Sequence, residues 1–256
     1  MDPHTVTLQY STSTNLGARI ALHERYSTNP YGLTRWIFDR LHLTSGQRVL
    51  ETACGTGNLW RTNRNRIPPG LSLVLSDRSR GMVETTRKAA GPASFVVCAL
   101  PELPFMDECF DLAIANHVLY HVAQRERGLG EIRRVLRRGG TLFATTNGET
   151  HMRELKEVMQ AFAIEGGDFS LPFTLENGEA QLRRVFPQVH REDYPDSLRV
   201  TEPELLIEYM ASFSPSACHA VAAHRDALRA ALESRIQRDG AFHITKSTGA
   251  FTASTD

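Results

Sequence analysis

Val49-Leu50-Glu51-Thr52-Ala53-Cys54-Gly55-Thr56-Gly57-Asn58-Leu59-Trp60 reads as a buried strand running into a small-residue turn and then into the start of a helix. Gly55, Thr56, Gly57 and Asn58 leave little side-chain bulk, so a ligand can press against the backbone there. Asp77 lies twenty positions past Gly57, at the end of a second apolar run, Leu71-Ser72-Leu73-Val74-Leu75-Ser76. An acid at that place and spacing accepts hydrogen bonds from the two hydroxyls of a ribose. The ligand expected at this turn carries an adenosine.

A dinucleotide needs its pyrophosphate on a helix N-terminus, usually through Gly-x-Gly-x-x-Gly. Here the third glycine position is Trp60, which is too bulky for close helix–strand packing, and Glu51 puts an acid just before the turn. A carboxylate repels a pyrophosphate and attracts a cation, by about 1 kcal/mol at roughly 4 Å in water and several times more where partly desolvated. The turn therefore suits a nucleoside bearing positive charge and no phosphate.

The bulk properties narrow the setting. The chain has 256 residues, zero net charge and 41% hydrophobic content, as in an ordinary globular domain or a core domain with a smaller cap. Scattered basic residues argue against a broad nucleic-acid-binding face. No apolar run approaches the ~20 residues of a membrane span. Met1-Asp2-Pro3-His4 has neither the basic start nor the apolar core of a secretion signal. Cys54, Cys98, Cys109 and Cys218 form no C-x-x-C pair, so reduced thiols in a cytoplasm are expected.

Outward from the turn, strands alternate with helices. Residues 1–14 are polar, with Tyr10 able to fold back on a site, and a helical stretch from Asn15 sets Leu16, Ile20 and His23 on one face. Leu33, Trp36, Ile37 and Leu41 follow at helical spacing, and the first strand starts at Arg48. The second strand ends at Asp77, Ser79 caps a helix reaching about Ala90, and Phe95-Val96-Val97-Cys98 reads as a third buried strand. Phe110 to Ala115 is the fourth strand. Leu129, Ile132, Val135 and Leu136 give the next helix its apolar face, with Arg133, Arg134, Arg137 and Arg138 turned to solvent rather than to nucleic acid. The fifth strand runs from Thr141 to Thr146, helices follow at 149–163 and 179–186, and residues 166–178 are loop. An irregular strand region covers 189–200, two more helices cover 202–212 and 217–238, and Phe242 to Lys246 is a final strand. This rhythm predicts an α/β fold, a doubly wound parallel sheet with ligands at the carboxyl ends of its strands.

At Glu51-x-Ala53-x-Gly55-x-Gly57 the chain resembles the class I S-adenosylmethionine-dependent methyltransferases, whose first motif runs acid-x-Gly-x-Gly-x-Gly; Ala53 stands where the first glycine is expected. Leu103-Pro104-Phe105, Phe110-Asp111, Asn116-His117-Val118-Leu119-Tyr120-His121-Val122, Glu131 to Leu136 and Gly139-Gly140-Thr141 resemble the small-molecule branch related to the ubiquinone and menaquinone biosynthesis enzymes. The clear likeness covers about residues 48–146. It implies a Rossmann-like, mostly parallel sheet with a helical cap insertion, and S-adenosyl-L-methionine as cofactor with S-adenosyl-L-homocysteine as product. By position it puts Glu51, Ala53, Cys54, Gly55 and Gly57 at the methionine end, Asp77 at the ribose, and Arg78 and Met82 at the adenine. Backbone groups of Ala99 and Leu100 also meet the adenine; Ala99 replaces the family's Asp, a loss of about 1 kcal/mol. Asn116 flanks the methyl group.

Methyl transfer is an in-line displacement that quenches charge, so alignment and water exclusion suffice unless the acceptor still holds its proton. His117, next to Asn116, is the first candidate base, against a plain helix-start histidine; His121 is a second candidate, against a helix anchor. His117-x-x-x-His121 lacks the third ligand and the glutamate of a zinc pair, so no metal is expected. Glu149, against a capping role, is a candidate for substrate contact and Tyr26 for an N-terminal lid, and both stand with the histidines as catalytic candidates. Arg19 is a candidate for the cofactor carboxylate, against a surface ion pair. The expected organisation is an N-terminal helical lid at 1–44, a cofactor-binding core at 45–147, a cap and substrate region at 148–240, and a last core strand and tail at 241–256. The expected partner is a small-molecule acceptor methylated on O, N or C, with no nucleic acid and no membrane, in a monomer or homodimer. The alternative is a cofactor-binding or regulatory protein of this fold that does not methylate, which Ala53 and Ala99 favour. A nucleic-acid methyltransferase ranks third, because Asn116-His117-Val118-Leu119 replaces the expected Asn-Pro-Pro-aromatic type of motif.

Overall fold

The computed structural model describes residues 21–165 and 171–256. The readings on Tyr10, Leu16, Arg19 and Ile20, and those on residues 166–170, lie outside the described residues. Apolar runs become strands β1 (Arg48–Thr52), β2 (Ser72–Asp77), β3 (Ser94–Val97), β4 (Phe110–Asn116), β5 (Leu136–Asn147), β6 (Gln188–Val200) and β7 (Phe242–Ser254). Among the described residues they form one seven-stranded sheet in the order β3-β2-β1-β4-β5-β7-β6. β1 pairs in parallel with β2 and β4, β2 with β3 and β4 with β5, while β7 runs antiparallel to β5. The strand order reverses at β1, where Glu51 sits in register with Leu75 on one side and Ile114 on the other. In open α/β sheets that reversal opens the crevice in which ligands bind.

Two compact units share the described residues: 33–148, 172–194 and 248–256 form one, and 21–32, 149–165, 171 and 195–247 the other. In the first, side chains alternate between two buried clusters. Leu50, Val74 and Ala113 join Phe110, Leu129, Ile132 and Phe251, whereas Val49, Leu73 and Leu112 join Trp36, Ile37, Trp60 and Phe143. That is the period-two signature of a sheet covered on both faces. Helix Leu33–Arg40 belongs to this unit, through buried Trp36, Ile37 and Phe38 and the edge-on contact of Trp36 with Tyr194 at 5.3 Å. The division therefore falls before Leu33 rather than at residue 44, and residues 172–194 go with the sheet.

The second unit has its own apolar core of Leu22, Tyr26, Leu155, Leu206, Met210, Leu228 and Ile244. Asp196 knots its chain segments together. It receives Ser27 Oγ at 2.8 Å, the Asn29 amide at 3.1 Å and Lys246 Nζ at 2.5 Å. Burial pushes the Asp196 carboxyl up, but Lys246, Ser27 and the Asn29 amide carry it below its ordinary value. No helix among the described residues is long and apolar enough to cross a membrane.

Pairing overrides several local expectations. β3 is an edge strand and not a buried one, with Val97 47% exposed, because nothing pairs with its outer side. Arg134 does not face solvent freely: it donates to Glu131, to Asp107 and to the carbonyls of Leu103 and Phe105, fixing the loop before β4. β7 runs on to Ser254 because β5 offers it partners from Asn147 back to Thr141. The expected helix 217–238 is split into Pro215–Ala223 and Arg225–Asp239.

A Cβ added at Gly249 of β7 would lie 2.6 Å from the carbonyl oxygen of Glu192 and 3.1 Å from the Cα of Asp193, both backbone atoms of β6. Gly249→Ala is expected to lower unfolding free energy by about 1–3 kcal/mol, measured by urea denaturation. Unchanged stability would show that the two strands do not approach this closely.

Candidate functional site

The turn after β1 is built from left-handed residues: Ala53 at φ 63°, Gly55 at 55° and Gly57 at 72°. Gly57 occupies the N-cap position of helix Asn58–Thr62, where no side chain caps the helix. The turn is closed from outside. The Gly55 amide donates to Asp77 Oδ2 at 3.0 Å, and Thr86 Oγ1 donates to the Gly55 carbonyl at 2.6 Å. A Cβ on Gly57 would strike Thr86 Cγ2 at 2.8 Å, whereas a Cβ on Gly55 would meet nothing within 4 Å. The turn is thus packed on its inner side and open at Gly55.

Ala53 carries the strain that the family's glycine avoids. Its methyl group costs less through volume than through a positive φ, which disfavours any residue with a Cβ. Asp77 ends β2 nearly buried, at 7% exposure, with Oδ1 taking the Ser79 amide at 2.9 Å. Each of its oxygens has accepted one amide and keeps a lone pair for further donors. Ser79 accepts the Met82 amide at the start of helix Arg80–Ala89, which leaves Met82 half-buried beside exposed Arg78. Ala99 is exposed and Leu100 half-buried; the Ala99 carbonyl is taken by the Glu102 amide at 2.9 Å.

Beneath the turn lies Glu51, 3% exposed. Its Oε2 accepts Trp60 Nε1 at 2.6 Å and its Oε1 accepts Asn116 Nδ2 at 3.1 Å. Burial pushes the carboxyl from its ordinary 4.5 up to about 7; the Trp60 and Asn116 hydrogen bonds work against that shift and nearby Asp77 adds to it. Cys54 is pushed up to about 12, by burial first and by the Glu51 charge second, so it is an inert thiol.

β4 ends at Asn116, and His117 follows at φ 48° with its amide on Thr145 Oγ1 at 3.1 Å. The next segment is a 3-10 turn, Leu119–His121, and the α-helix begins only at Arg125. His117 is thus not at a helix start, and His117 and His121 do not share an α-helical face. The His117 ring lies 6.4 Å from Tyr120, which stacks edge-on to His121 at 4.5 Å. No group of three or more potential metal ligands occurs among the described residues.

The sheet unit brings together Glu51, Ala53, Cys54, Gly55, Gly57, Asp77, Asn116 and His117. Tyr26 and Glu149 belong to the other unit. Tyr26 is 7% exposed in that unit's core and its hydroxyl makes no hydrogen bond among the described residues. Glu149 is exposed, and the N-cap of helix Arg153–Ala161 is Met152 rather than Glu149. Sequence reading missed Trp60, Thr86 and Thr145 as parts of the site. Trp60 was visible only as a bulky residue with an N–H donor at a glycine position.

Comparison with known proteins fits this geometry. Residues 50–144 match the family model of a methyltransferase domain. Over those residues the chain is similar to a methyltransferase domain. Its relatives include the ubiquinone/menaquinone biosynthesis C-methyltransferase UbiE of Xylella fastidiosa (strain M12), 33% identical over 112 residues that make up 41% of this chain and 44% of that enzyme. The chain thus spans about half the length of the curated relatives it matches. The fold recurs in the crystal structure of the [4+2]-cyclase SpnF, with TM-score 0.60, 20% identity, and coverage of 98% of this chain and 94% of that one. It recurs also in Haemonchus contortus phosphoethanolamine N-methyltransferase 2, solved with phosphomonomethylethanolamine and S-adenosylhomocysteine, with TM-score 0.59, 18% identity, and coverage of 99% and 60%.

Two outcomes follow from the geometry. Ala53→Gly is expected to raise stability by about 0.5–1 kcal/mol, relief of left-handed strain outweighing the added freedom of the unfolded chain; a loss beyond about 1 kcal/mol would mean that the Ala53 methyl is needed for packing. For Glu51, the raised value means that ionisation opposes folding. The cost is absent below the ordinary 4.5, grows up to about 7 and is complete above it. The stability of Glu51→Gln relative to wild type should therefore climb by about 3 kcal/mol between roughly pH 4 and pH 8. Parallel stability curves across that range would refute a raised Glu51.

Proposed function

We propose that this chain transfers the methyl group of S-adenosyl-L-methionine to a small metabolite. The observation that carries the reading is the turn that is open at Gly55, flanked by the Asp77 carboxylate and underlain by the buried Glu51 carboxylate. The residues suit the cofactor: acceptors for a ribose, a buried acid for a positive charge, and exposed backbone where bulk would interfere. The cofactor supplies an electrophilic methyl group on a sulfonium. Asp77 accepts the ribose hydroxyls with its remaining lone pairs. Ala53 to Gly57 hold the methionine end, and Glu51 offsets its cationic charge from beneath. Arg78, Met82, Ala99 and Leu100 border the adenine. Asn116, held by Glu51 and Thr145, flanks the reacting methyl.

His117, immediately after Asn116, takes the proton of an acceptor that still carries one; an acceptor already deprotonated needs only alignment. The UbiE relative is named as a C-methyltransferase of ubiquinone/menaquinone biosynthesis, which makes an electron-rich quinol-like ring the first acceptor class to try. Groups outside the cofactor turn select the acceptor, and His121 supports the segment after β4. The second reading, a cofactor-binding protein of this fold that does not methylate, is favoured by Ala53, by Ala99 and by a fold shared with a named cyclase.

Isothermal titration is expected to show saturable binding of S-adenosyl-L-methionine, and no heat at millimolar ligand would end both readings. Asp77→Ala should weaken binding by about tenfold to a hundredfold, as expected for losing hydrogen bonds to a charged acceptor. Release of S-adenosyl-L-homocysteine with a quinol, catechol or amine acceptor then separates the two: release supports the enzyme, and binding with no release from any acceptor supports the second reading.

A further inference from the structure

The polar groups around Glu51 form a chain with a direction. The His117 amide donates to Thr145 Oγ1 at 3.1 Å, so the threonine hydroxyl is left to donate onward, to Asn116 Oδ1 at 3.2 Å. That fixes the Asn116 amide with its nitrogen toward Glu51, to which it donates at 3.1 Å. On the other side Trp60 is fully buried, set edge-on to Phe38 with ring centroids 6.3 Å apart, and has Glu51 Oε2 as its acceptor at 2.6 Å. Every donor in the chain points inward and Glu51 is the terminal acceptor, an arrangement that favours the ionised carboxylate because hydrogen bonds to a charged acceptor are the stronger ones. Trp60 stands where a dinucleotide-binding turn would carry its third glycine.

We propose that Trp60 is a positioning residue that, with Asn116, locks Glu51 in its ionised form, and that recognition of the cationic end of the cofactor works through this lock. The proposal rests on the cofactor reading above for its second half only. Burial draws the acid toward neutrality, and Asp77 reinforces that pull. The two hydrogen bonds are what resists it. The other titratable groups on the surrounding elements are Cys54, His117, Arg61, Arg35, Asp39 and Arg40, and, at the far ends of the strands, Arg48, Asp111, Arg137 and Arg138, of which Asp111 and Arg137 pair with each other. The Cys54 thiol is held neutral, Arg61 is bound to Asn58, and Asp39 and Arg40 are paired with Arg66 and Glu192. His117 directly follows Asn116, the second donor, and its protonation is therefore followed separately.

The test uses Trp60→Phe, which keeps an aromatic ring and removes the N–H. In the ligand-free wild-type chain, the Trp60 indole N–H resonance and the labelled Glu51 side-chain carboxyl carbon are expected to titrate together near pH 7. In the variant the Glu51 carbon should titrate about one pH unit higher, roughly the strength of one hydrogen bond to a charge. An unchanged midpoint overturns the lock. Binding of S-adenosyl-L-methionine is then measured from about pH 6 to about pH 8.5. The ratio of variant to wild-type affinity should be about fivefold against the variant near neutrality, approach about tenfold near pH 6 and approach one at the alkaline end. The ligand's own ionisation is common to both proteins and cancels in that ratio. Equal weakening at every pH would make Trp60 a packing residue and overturn the proposal. Thr145→Val, which removes the hydroxyl that orients Asn116, should move the carboxyl midpoint in the same direction by a smaller amount, and it serves if Trp60→Phe does not fold. Histidine ring signals recorded in parallel separate His117 from Glu51. If the wild-type chain binds no S-adenosyl-L-methionine, the functional reading fails, while the ligand-free titration still decides the lock.

Discussion

A carboxylate withdrawn from water costs several kcal/mol unless donors replace its solvation, and Glu51 makes that demand at the carboxyl end of β1. Trp60 and Asn116 meet it directly, and Thr145 meets it at one remove. These residues come from the helix after the turn and from the ends of β4 and β5, so one buried charge ties together the elements that meet where the strand order reverses. The turn above is held by a parallel device. Asp77 and Thr86 clamp Gly55 from β2 and from helix Arg80–Ala89, and the tight approach at Gly57 leaves no room for a side chain. What remains accessible is the backbone at Gly55 and the free lone pairs of Asp77.

The two acids play different parts for a physical reason. Asp77 accepts backbone amides and keeps acceptor capacity at the mouth of the turn, which suits it to hydroxyl donors. Glu51 is enclosed, and its charge acts over a short distance through a medium of low polarity, where Coulombic attraction is strongest. A cation is favoured above such a group and a phosphate is disfavoured. This agrees with a methyltransferase domain and not with a dinucleotide site.

Much of this was legible before the structure. The alternation of Val49-Leu50 with the Gly55–Gly57 turn, the acid at Asp77 and the Ser79 cap each rest on local chemistry, and each appears where that chemistry requires. The edge position of β3, the length of β7 and the ion-paired role of Arg134 were not legible. Exposure of β3 depends on whether another strand pairs outside it, β7 is extended by its register with β5, and Arg134 finds partners in a loop remote in sequence. The reading of Trp60 as an obstruction was half of the matter. Its bulk tells against a dinucleotide turn, but its N–H serves the neighbouring acid.

Residue order alone set the parallel α/β architecture and the location of the turn, because hydrophobic period, glycine conformational freedom and helix capping act over a few neighbouring residues. Only the folded chain decided which donors reach Glu51, that His117 and His121 part company on a 3-10 turn, and that Tyr26 sits in the core of the second unit. Those outcomes depend on side chains brought together from distant segments, and the energy of a buried charge or hydrogen bond is set by that assembled surrounding and not by local spacing.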